Sequence, residues 1–134
     1  MGNASSKDIR DILITEGITT PIYIGQEPAE PTEVITLYDL PGQEPNPKWK
    51  IDYPDLQVRG RSQSYEDAYS FMNEVKNLLL GRAPATIGTY YYTSILGKND
   101  INFIGKDEKN RSIFTWTIAI VREPTDSSNR KPLS

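Results

Sequence analysis

The clearest hydrophobic pattern in the chain covers residues 55–81. Residues 56–61 alternate between apolar and polar side chains, as in a strand that buries one face. Ser64 then precedes apolar residues at helical spacing, and Asp67 completes a motif that resembles a capping box. The pattern therefore predicts a strand and then a helix that Gly81 ends with a left-handed cap. The apolar positions of this helix are Tyr65, Ala68, Tyr69, Phe71, Met72, Val75, Leu78 and Leu79.

A shorter helix is predicted near the start of the chain, over residues 5–16. Ser5 or Ser6 can cap it, and Gly17 follows its last turn. Its apolar side chains fall on one side of the helix, so we expect that side to pack against the sheet. These residues are Ile9, Ile12 and Leu13.

Two strands are predicted between this helix and the central unit. Residues 21–25 begin with proline, which suits an edge strand, and residues 33–40 are rich in β-branched and aromatic side chains. Residues 26–32 contain two prolines and should form an extended linker between the strands. Pro41 and Gly42 have the residue types of a tight turn, so the second strand should end there.

Residues 42–53 are predicted to form a long loop. Loops of this length in small domains are more often functional than decorative. Trp49 lies between two lysines, and it either contacts a partner or folds back as a lid over the core. The residues of this predicted contact loop are Pro45, Pro47, Lys48, Trp49 and Lys50.

Residues 86–96 read as one long strand with apolar side chains on both faces. A strand of this kind is either central in a sheet or covered by a second subunit. Three consecutive tyrosines suit an interface that has a wet edge, because each combines an apolar ring with a polar hydroxyl. The predicted oligomer interface consists of Tyr90, Tyr91 and Tyr92 together with Arg59 and Arg61.

The last predicted structure is a hairpin of residues 101–106 and 111–122. Its second strand has an inward row of Phe114, Trp116, Ile118 and Ile120. Residues 124–134 have too few apolar side chains to order themselves, so we expect a disordered tail. Residues 1–123 are then a single domain, a size that can bury one modest core.

Composition narrows the chemistry that the chain can perform. The 134 residues include no histidine and no cysteine. Their absence excludes ordinary zinc sites, and it excludes catalytic Cys-His and Ser-His-Asp arrangements. Carboxylates, lysine, tyrosine and carboxylate-bound magnesium remain open to it. The acidic side chains have no recognisable acid–base or calcium-loop spacing, and the formal net charge of −3 disfavours a role in coating nucleic acid. We therefore predict no catalytic, cofactor-binding or metal-binding residues.

Three short segments resemble the minor capsid or tail terminator family of long-tailed bacteriophages. The first is Pro-Ala-Glu-Pro-Thr-Glu-Val-Ile-Thr-Leu-Tyr-Asp-Leu-Pro-Gly at residues 28–42. The others are Leu-Gln-Val-Arg-Gly-Arg at residues 56–61 and Tyr-Glu-Asp-Ala at residues 65–68. The similarity continues through the Leu-Leu-Leu-Gly helix end at residues 78–81 and the terminal strand up to Glu123. It thus covers most of the chain.

The resemblance implies an α+β subunit in which a mixed or mostly antiparallel sheet of about five to six strands packs against two helices. It implies a structural virion protein, not an enzyme, that forms a hexameric ring at the head-proximal end of the tail tube. The ring would stop tube growth, join tail to head, and let the genome DNA pass without specific binding. Its partners would be its own copies, the tail tube protein and the head–tail connector, with no membrane and no cofactor.

The site of assembly implied by the resemblance is the bacterial host cytoplasm, before the protein becomes part of the tail or neck of the virion. Two other functions stay open from the sequence. One is a head-completion or connector protein of the phage neck, which would also be small, acidic and ring-forming. The other is a small carboxylate-dependent enzyme.

Overall fold

The computed structural model describes residues 4–46, 51–82 and 84–125, which form two helices and seven strands. The helices are α1 (Ser5–Thr15) and α2 (Tyr65–Leu79). The strands are β1 (Ile22–Ile24), β2 (Val34–Asn46), β3 (Ile51–Ser62), β4 (Ala85–Ile87), β5 (Tyr90–Gly97), β6 (Asn102–Lys106) and β7 (Ser112–Pro124). Neither helix is long and apolar enough to cross a bilayer.

All seven strands belong to one sheet that curls into a half-barrel. Its order is β1-β2-β3-β7-β5-β4, and β6 also pairs with β7. β5 pairs with the second half of β7 and β6 with its first half, so both lie on the side of β7 away from β3. Only the β1–β2 pairing is parallel among these contacts. The predicted α+β fold with a mixed sheet and two helices is confirmed.

The core lies between the helices and one face of the sheet. The predicted inward row of β7 is confirmed, because all four of its side chains are buried. Gly60 of β3 lets α2 approach closely: a Cβ at this position would lie 2.6 Å from Met72 Sδ and 2.6 Å from Phe71 Cε1. The core therefore needs glycine on this strand beneath α2.

The prediction for α2 is confirmed at both ends. The Ser64 hydroxyl accepts a hydrogen bond from the Asp67 N–H at 3.3 Å, and Gly81 has a φ of 68°. The predicted apolar stripe is only partly buried. Its two outermost members, Tyr65 and Tyr69, are 51% and 46% exposed. The helix thus turns one edge of its apolar face towards solvent.

The range predicted for α1 is also confirmed, but the prediction for its cap is wrong. The N-cap is Ala4, which has no side chain that can bond to the helix. Instead, Asp39 of β2 accepts hydrogen bonds from the Ser5 hydroxyl at 3.1 Å, the Ser6 N–H at 3.1 Å and the Ser6 hydroxyl at 2.6 Å. The serines therefore attach the helix to the sheet, and a distant carboxylate supplies the cap.

The predicted long loop over residues 42–53 is mostly strand. β2 continues to Asn46 and β3 already begins at Ile51. The predicted turn at Pro41 and Gly42 is a register shift within the β2–β3 pair, where Gly42 has a φ of 63° and a Cβ would overlap the Tyr53 carbonyl oxygen. Glycine permits an irregular strand here as readily as a turn. Of the predicted contact loop, Pro45 lies in β2, and Pro47, Lys48, Trp49 and Lys50 lie outside the described residues.

The single strand predicted over residues 86–96 is two strands. β4 and β5 form an antiparallel pair, and Gly88, with a φ of 61°, lies in the turn between them. The sheet therefore has seven strands instead of the predicted five to six. At the other end of the chain, the N–H and hydroxyl of Thr125 both donate to the Thr89 carbonyl. The rest of the predicted tail, residues 126–134, lies outside the described residues.

Candidate functional site

One face of the sheet carries neither of the described helices, and we call it the bare face. Side chains alternate between the two faces along each strand. The residues of β3 and β7 that alternate with the buried core residues therefore point to the bare face. Most of them are half-buried, and Leu96 is 54% exposed. A half-covered sheet with apolar residues on its open side is suited to contact another molecule. The bare face includes Tyr38, Leu40, Tyr53, Asp55, Arg59, Tyr91, Leu96, Ala119, Val121 and Glu123.

The linker between β1 and β2 crosses one end of the bare face, and arginines hold it there. Glu27 forms ion pairs with Arg59 and Arg61. Arg61 also donates to the backbone carbonyls of Ala29 at 3.3 Å, Pro31 at 2.7 Å and Thr32 at 3.2 Å. Arg61 is only 3% exposed. Its guanidinium therefore makes its contacts within the chain. This end of the face is already covered.

The other end of the bare face contains a cavity of about 230 Å³. Its apolar lining comes from Tyr53, Ala119 and Val121, and its charged side is an ion pair of 2.8 Å between Asp55 Oδ2 and Lys98 Nζ. The Asp55 side chain is 12% exposed and that of Lys98 is 50% exposed. An apolar floor beside a charged rim fits the side chain of a protein partner better than a chemical step. Among the described residues, no group of carboxylates could hold a metal ion.

The three predicted interface tyrosines separate in the structure. Tyr92 is 2% exposed, and its hydroxyl donates to Asp8 Oδ2 at 2.6 Å and accepts from Arg122 Nη1 at 3.0 Å. Burial, reinforced by the hydrogen bond to Asp8, raises the pKa of Tyr92 well above its ordinary value. The ring of Tyr90 lies under the Arg122 guanidinium, 3.7 Å from its centroid. Tyr91 alone of the three lies on the bare face.

A second exposed apolar surface lies beside α2, and we call it the edge patch. It consists of Tyr65 and Tyr69 of α2 with Phe103 of β6. The rings of Tyr65 and Phe103 are 5.0 Å apart, and both contact the buried ring of Phe114. Further along α2, a hydrogen bond from the Lys76 ammonium lowers the pKa of the Asp100 carboxyl.

Sequence reasoning missed both the cavity and the edge patch. For the cavity, the usable signal was the alternation along β7, where Ala119 and Val121 are apolar although they lie between buried residues. For the edge patch, the signal was the pair of tyrosines four residues apart on the flank of the predicted helical stripe. Both signals concern apolar residues on the side that patterning assigns to solvent.

Comparisons with known proteins add information on the whole chain. A family model described as bacteriophage tail terminator protein matches residues 6–124. A chain in the solved structure titled "Virion of native gene transfer agent (GTA) particle" has a TM-score of 0.64 and 14% sequence identity, over 89% of this chain and 95% of that chain. The two chains share a fold. A search of curated proteins found no match.

Proposed function

The chain belongs to the bacteriophage tail terminator protein family, and on this premise we propose that it forms a hexameric ring that caps the head-proximal end of the phage tail tube. The ring stops tube polymerisation and provides the surface that joins the tail to the head connector. The family match carries this proposal, because residues 6–124 include all seven strands and all but the first residue of α1. The likeness therefore extends over the complete described fold.

The geometry supports a subunit that has several partners. A ring placed between a tube and a connector needs one kind of contact with its own copies and another with each neighbouring protein. The chain offers the cavity end of the bare face and the edge patch, which lie on different parts of the surface. The free side of β6 also presents unpaired backbone groups among the described residues, which suits pairing with another chain.

We further propose that the protein acts by assembly and not by catalysis. The family to which it belongs is one of structural virion proteins. The genome DNA passes through the ring without specific binding, in keeping with the net charge of −3. Assembly takes place in the host cytoplasm, and the protein then stays in the tail of the virion.

The segment between β2 and β3 is our proposed contact with a tube subunit. It contains Pro47, Lys48, Trp49 and Lys50, with Pro45 just before it. Prolines lower the entropy that such a segment loses when it is ordered, and tryptophan is among the commonest anchors of protein interfaces. For the ring contact, Tyr91 and the half-buried Arg59 remain the candidates among the residues predicted from the sequence, and Arg59 also forms an ion pair with Glu27 within the chain. Tyr92 and Arg61 are buried and act within the chain.

Electron microscopy of tail tubes tests the function. Purified tube protein is allowed to polymerise with and without this chain, and the tube ends are classified. We expect a six-fold ring at one end of each tube and an early stop to elongation when the chain is added. Rings with another number of subunits would refute the hexamer, and unchanged tube growth would refute capping. Trp49→Ala, compared with the native chain, tests the proposed tube contact.

A further inference from the structure

The first strand of the sheet, β1, has an open side. Among the described residues its only strand partner is β2. The Pro21 carbonyl and the Gly25 N–H both bond to β2, at 2.9 Å in each case. Backbone groups of alternate residues in a strand point the same way, so those of Ile22 and Ile24 point to the open side. β1 therefore offers the N–H and C=O groups of these two residues to another strand.

The open side of β1 lacks two common protections of sheet edges, a charged side chain and a bulge. Residues 17–26 contain no charged side chain, and the β1–β2 pair has no register shift. Tyr23 points to the bare face, because its neighbours Ile22 and Ile24 pair with core residues of β2. It is 37% exposed. An uncharged, regular edge with an exposed aromatic ring is suited to pair with a further strand.

The opposite edge of the sheet is open at β6. The outer side of β5 is closed, because β4 pairs with it and the Gly81 N–H donates to the Ile95 carbonyl. β6 pairs only with β7 among the described strands. Its residues Phe103 and Ile104 are 39% and 48% exposed, and residues 101–105 contain no charged side chain. The register shift of β6 begins after Phe103, so a regular pairing here is short, as β1 is.

We infer that β1 of one copy adds to the open side of β6 of the next copy as an antiparallel strand, and this inference rests on the proposed ring. A contact between two different edges of one sheet is head-to-tail, which is the arrangement that closes into a ring. β1 runs parallel to β2, and three antiparallel pairings separate β2 from β6. Rotation about the ring axis keeps the direction of each strand along that axis, so the added strand runs antiparallel to β6.

The side chains of the two edges match on both faces of such a sheet. Rotation also keeps the helix side of every copy on the same side of the ring. On that side, Ile22 and Ile24 are half-buried and Phe103 belongs to the edge patch. Tyr23 and Ile104 are further apolar side chains that are exposed in the single subunit. Aromatic and β-branched side chains on neighbouring strands stabilise a sheet, so the contact joins favourable pairs.

Cross-linking between two single variants tests the contact, because the chain contains no cysteine. Tyr23→Cys and Ile104→Cys are mixed in equal amounts, added to tail tubes and treated with a short bis-maleimide reagent. We expect covalent dimers from the mixture and none from either variant alone, since each bond must join β1 of one chain to β6 of another. The matched control mixture replaces Ile104→Cys by Thr86→Cys, because Thr86 is exposed on β4, whose outer side is also open among the described strands.

Three outcomes of this experiment would overturn the inference. Dimers from the control mixture alone would assign the ring contact to β4. Dimers from Ile104→Cys by itself would show that β6 pairs with its own copy. Capped tubes that give no dimers from either mixture would show that β1 is not in the ring contact.

A proline at position 24 tests the backbone contact. Ile24→Pro removes an N–H that has no partner among the described residues, so the subunit should keep its fold while the next copy loses a donor. Ile24→Val keeps the N–H and is the matched control. We expect folded Ile24→Pro to reduce ring-capped tubes by at least about tenfold relative to Ile24→Val, because backbone hydrogen bonds supply the affinity of an added strand.

The native chain in the same assay separates the inference from the function. If the native chain caps no tubes, the proposed function fails. If it caps them and folded Ile24→Pro caps them equally, only the inference fails.

Discussion

The two helices of this protein begin in physically different ways. The first turn of α2 is satisfied from within, because Ser64 accepts from the N–H of Asp67. The first turn of α1 depends on the sheet, since Asp39 of β2 accepts three hydrogen bonds from Ser5 and Ser6. A carboxylate near a helix N-terminus is favourable wherever in the sequence it comes from. Local sequence therefore describes the start of α2 completely and the start of α1 only in part.

The helices also differ in what fixes them to the sheet. α2 is attached by apolar side chains and by the close approach of Met72 to Gly60. α1 adds a buried polar contact: Asp8, 1% exposed, accepts from the Tyr92 hydroxyl and lies 3.7 Å from Arg122. A buried polar group that loses its partner pays the cost of desolvation, whereas water can replace the partner in the exposed cap of α2. Substitutions at the polar contacts of α1 should then have larger effects than substitution of the cap of α2.

Asp8→Ala should have the largest effect. It removes the carboxylate and leaves the guanidinium of Arg122 and the hydroxyl of Tyr92 in a buried site with fewer partners, so we expect a loss of roughly 3 to 5 kcal/mol in the free energy of unfolding. Urea denaturation measures this quantity. Asp11→Ala is the matched control, since Asp11 is exposed on the same helix. A loss below about 1 kcal/mol for Asp8→Ala would mean that the buried contact contributes little.

Asp39→Ala should cost about 2 kcal/mol, because it removes the acceptor of three hydrogen bonds at the start of α1. The loss should be local to one helix. Hydrogen exchange measured by NMR should show faster exchange of the α1 amides and unchanged exchange of the α2 amides. Equal acceleration in both helices would show that the two are coupled and would remove the contrast between them.

Ser64→Ala should cost about 1 kcal/mol, the ordinary effect of losing a side-chain cap. Here the faster exchange should appear in α2 and not in α1. Ser64→Asp keeps an acceptor at the same place, so its stability should match that of the native chain to within a few tenths of a kcal/mol. A destabilised Ser64→Asp would indicate that the serine has a role other than capping.

Tyr92→Phe removes a partner of the buried Asp8 at every pH, and the smallest effect that we expect is the further change it makes to the stability in alkali. The pKa of Tyr92 is raised in the folded protein, so above pH about 10 the unfolded tyrosine loses its proton and the folded one keeps it. The stability contributed by the neutral hydroxyl is therefore present below this pH and is lost as the pH rises. Between about pH 8.5 and 10.5, the free energy of unfolding should fall less for Tyr92→Phe than for the native chain, by about 1 kcal/mol or less. Urea denaturation at several pH values measures this difference.

Tyr91→Phe is the control for this measurement, because Tyr91 lies on the other face of the same strand. It should leave the alkaline decline of the native chain unchanged. If Tyr91→Phe and Tyr92→Phe reduce the alkaline loss of stability equally, the buried contact of Tyr92 with Asp8 does not cause that loss.

Much of the fold was predictable because its signals are local. The strand–helix unit that ends at Gly81 and the hairpin of β6 and β7 follow from periodicity, capping residues and turn residues that lie close together in the chain. Two of the errors in the predicted strands lie at glycines. The sequence pattern predicts a turn at Gly42, where the structure has an irregularity within β2. It predicts a continuous strand through Gly88, where the structure has a turn between β4 and β5. Glycine permits both conformations.

The candidate site was less predictable because it depends on which face each side chain takes. In β5 the register shifts between Tyr92 and Ser94, so Tyr92 and Ile95 are both buried although they lie three residues apart. Strict alternation assigns them to opposite faces. Likewise, the burial of Arg61 depends on the linker that crosses the sheet, a contact between segments about thirty residues apart.

The cap of α1 also has a consequence for the order of folding. The α2 helix can form its first turn with its own residues, early and independently of the sheet. The α1 helix precedes α2 in the sequence, yet its cap and its buried contact come from β2 and β5, so closure of long loops must precede them. Its contacts should thus be absent from the transition state, and weakening them should speed unfolding while refolding keeps its rate. We therefore expect α1 to be fixed to the sheet later than α2, although it comes earlier in the sequence.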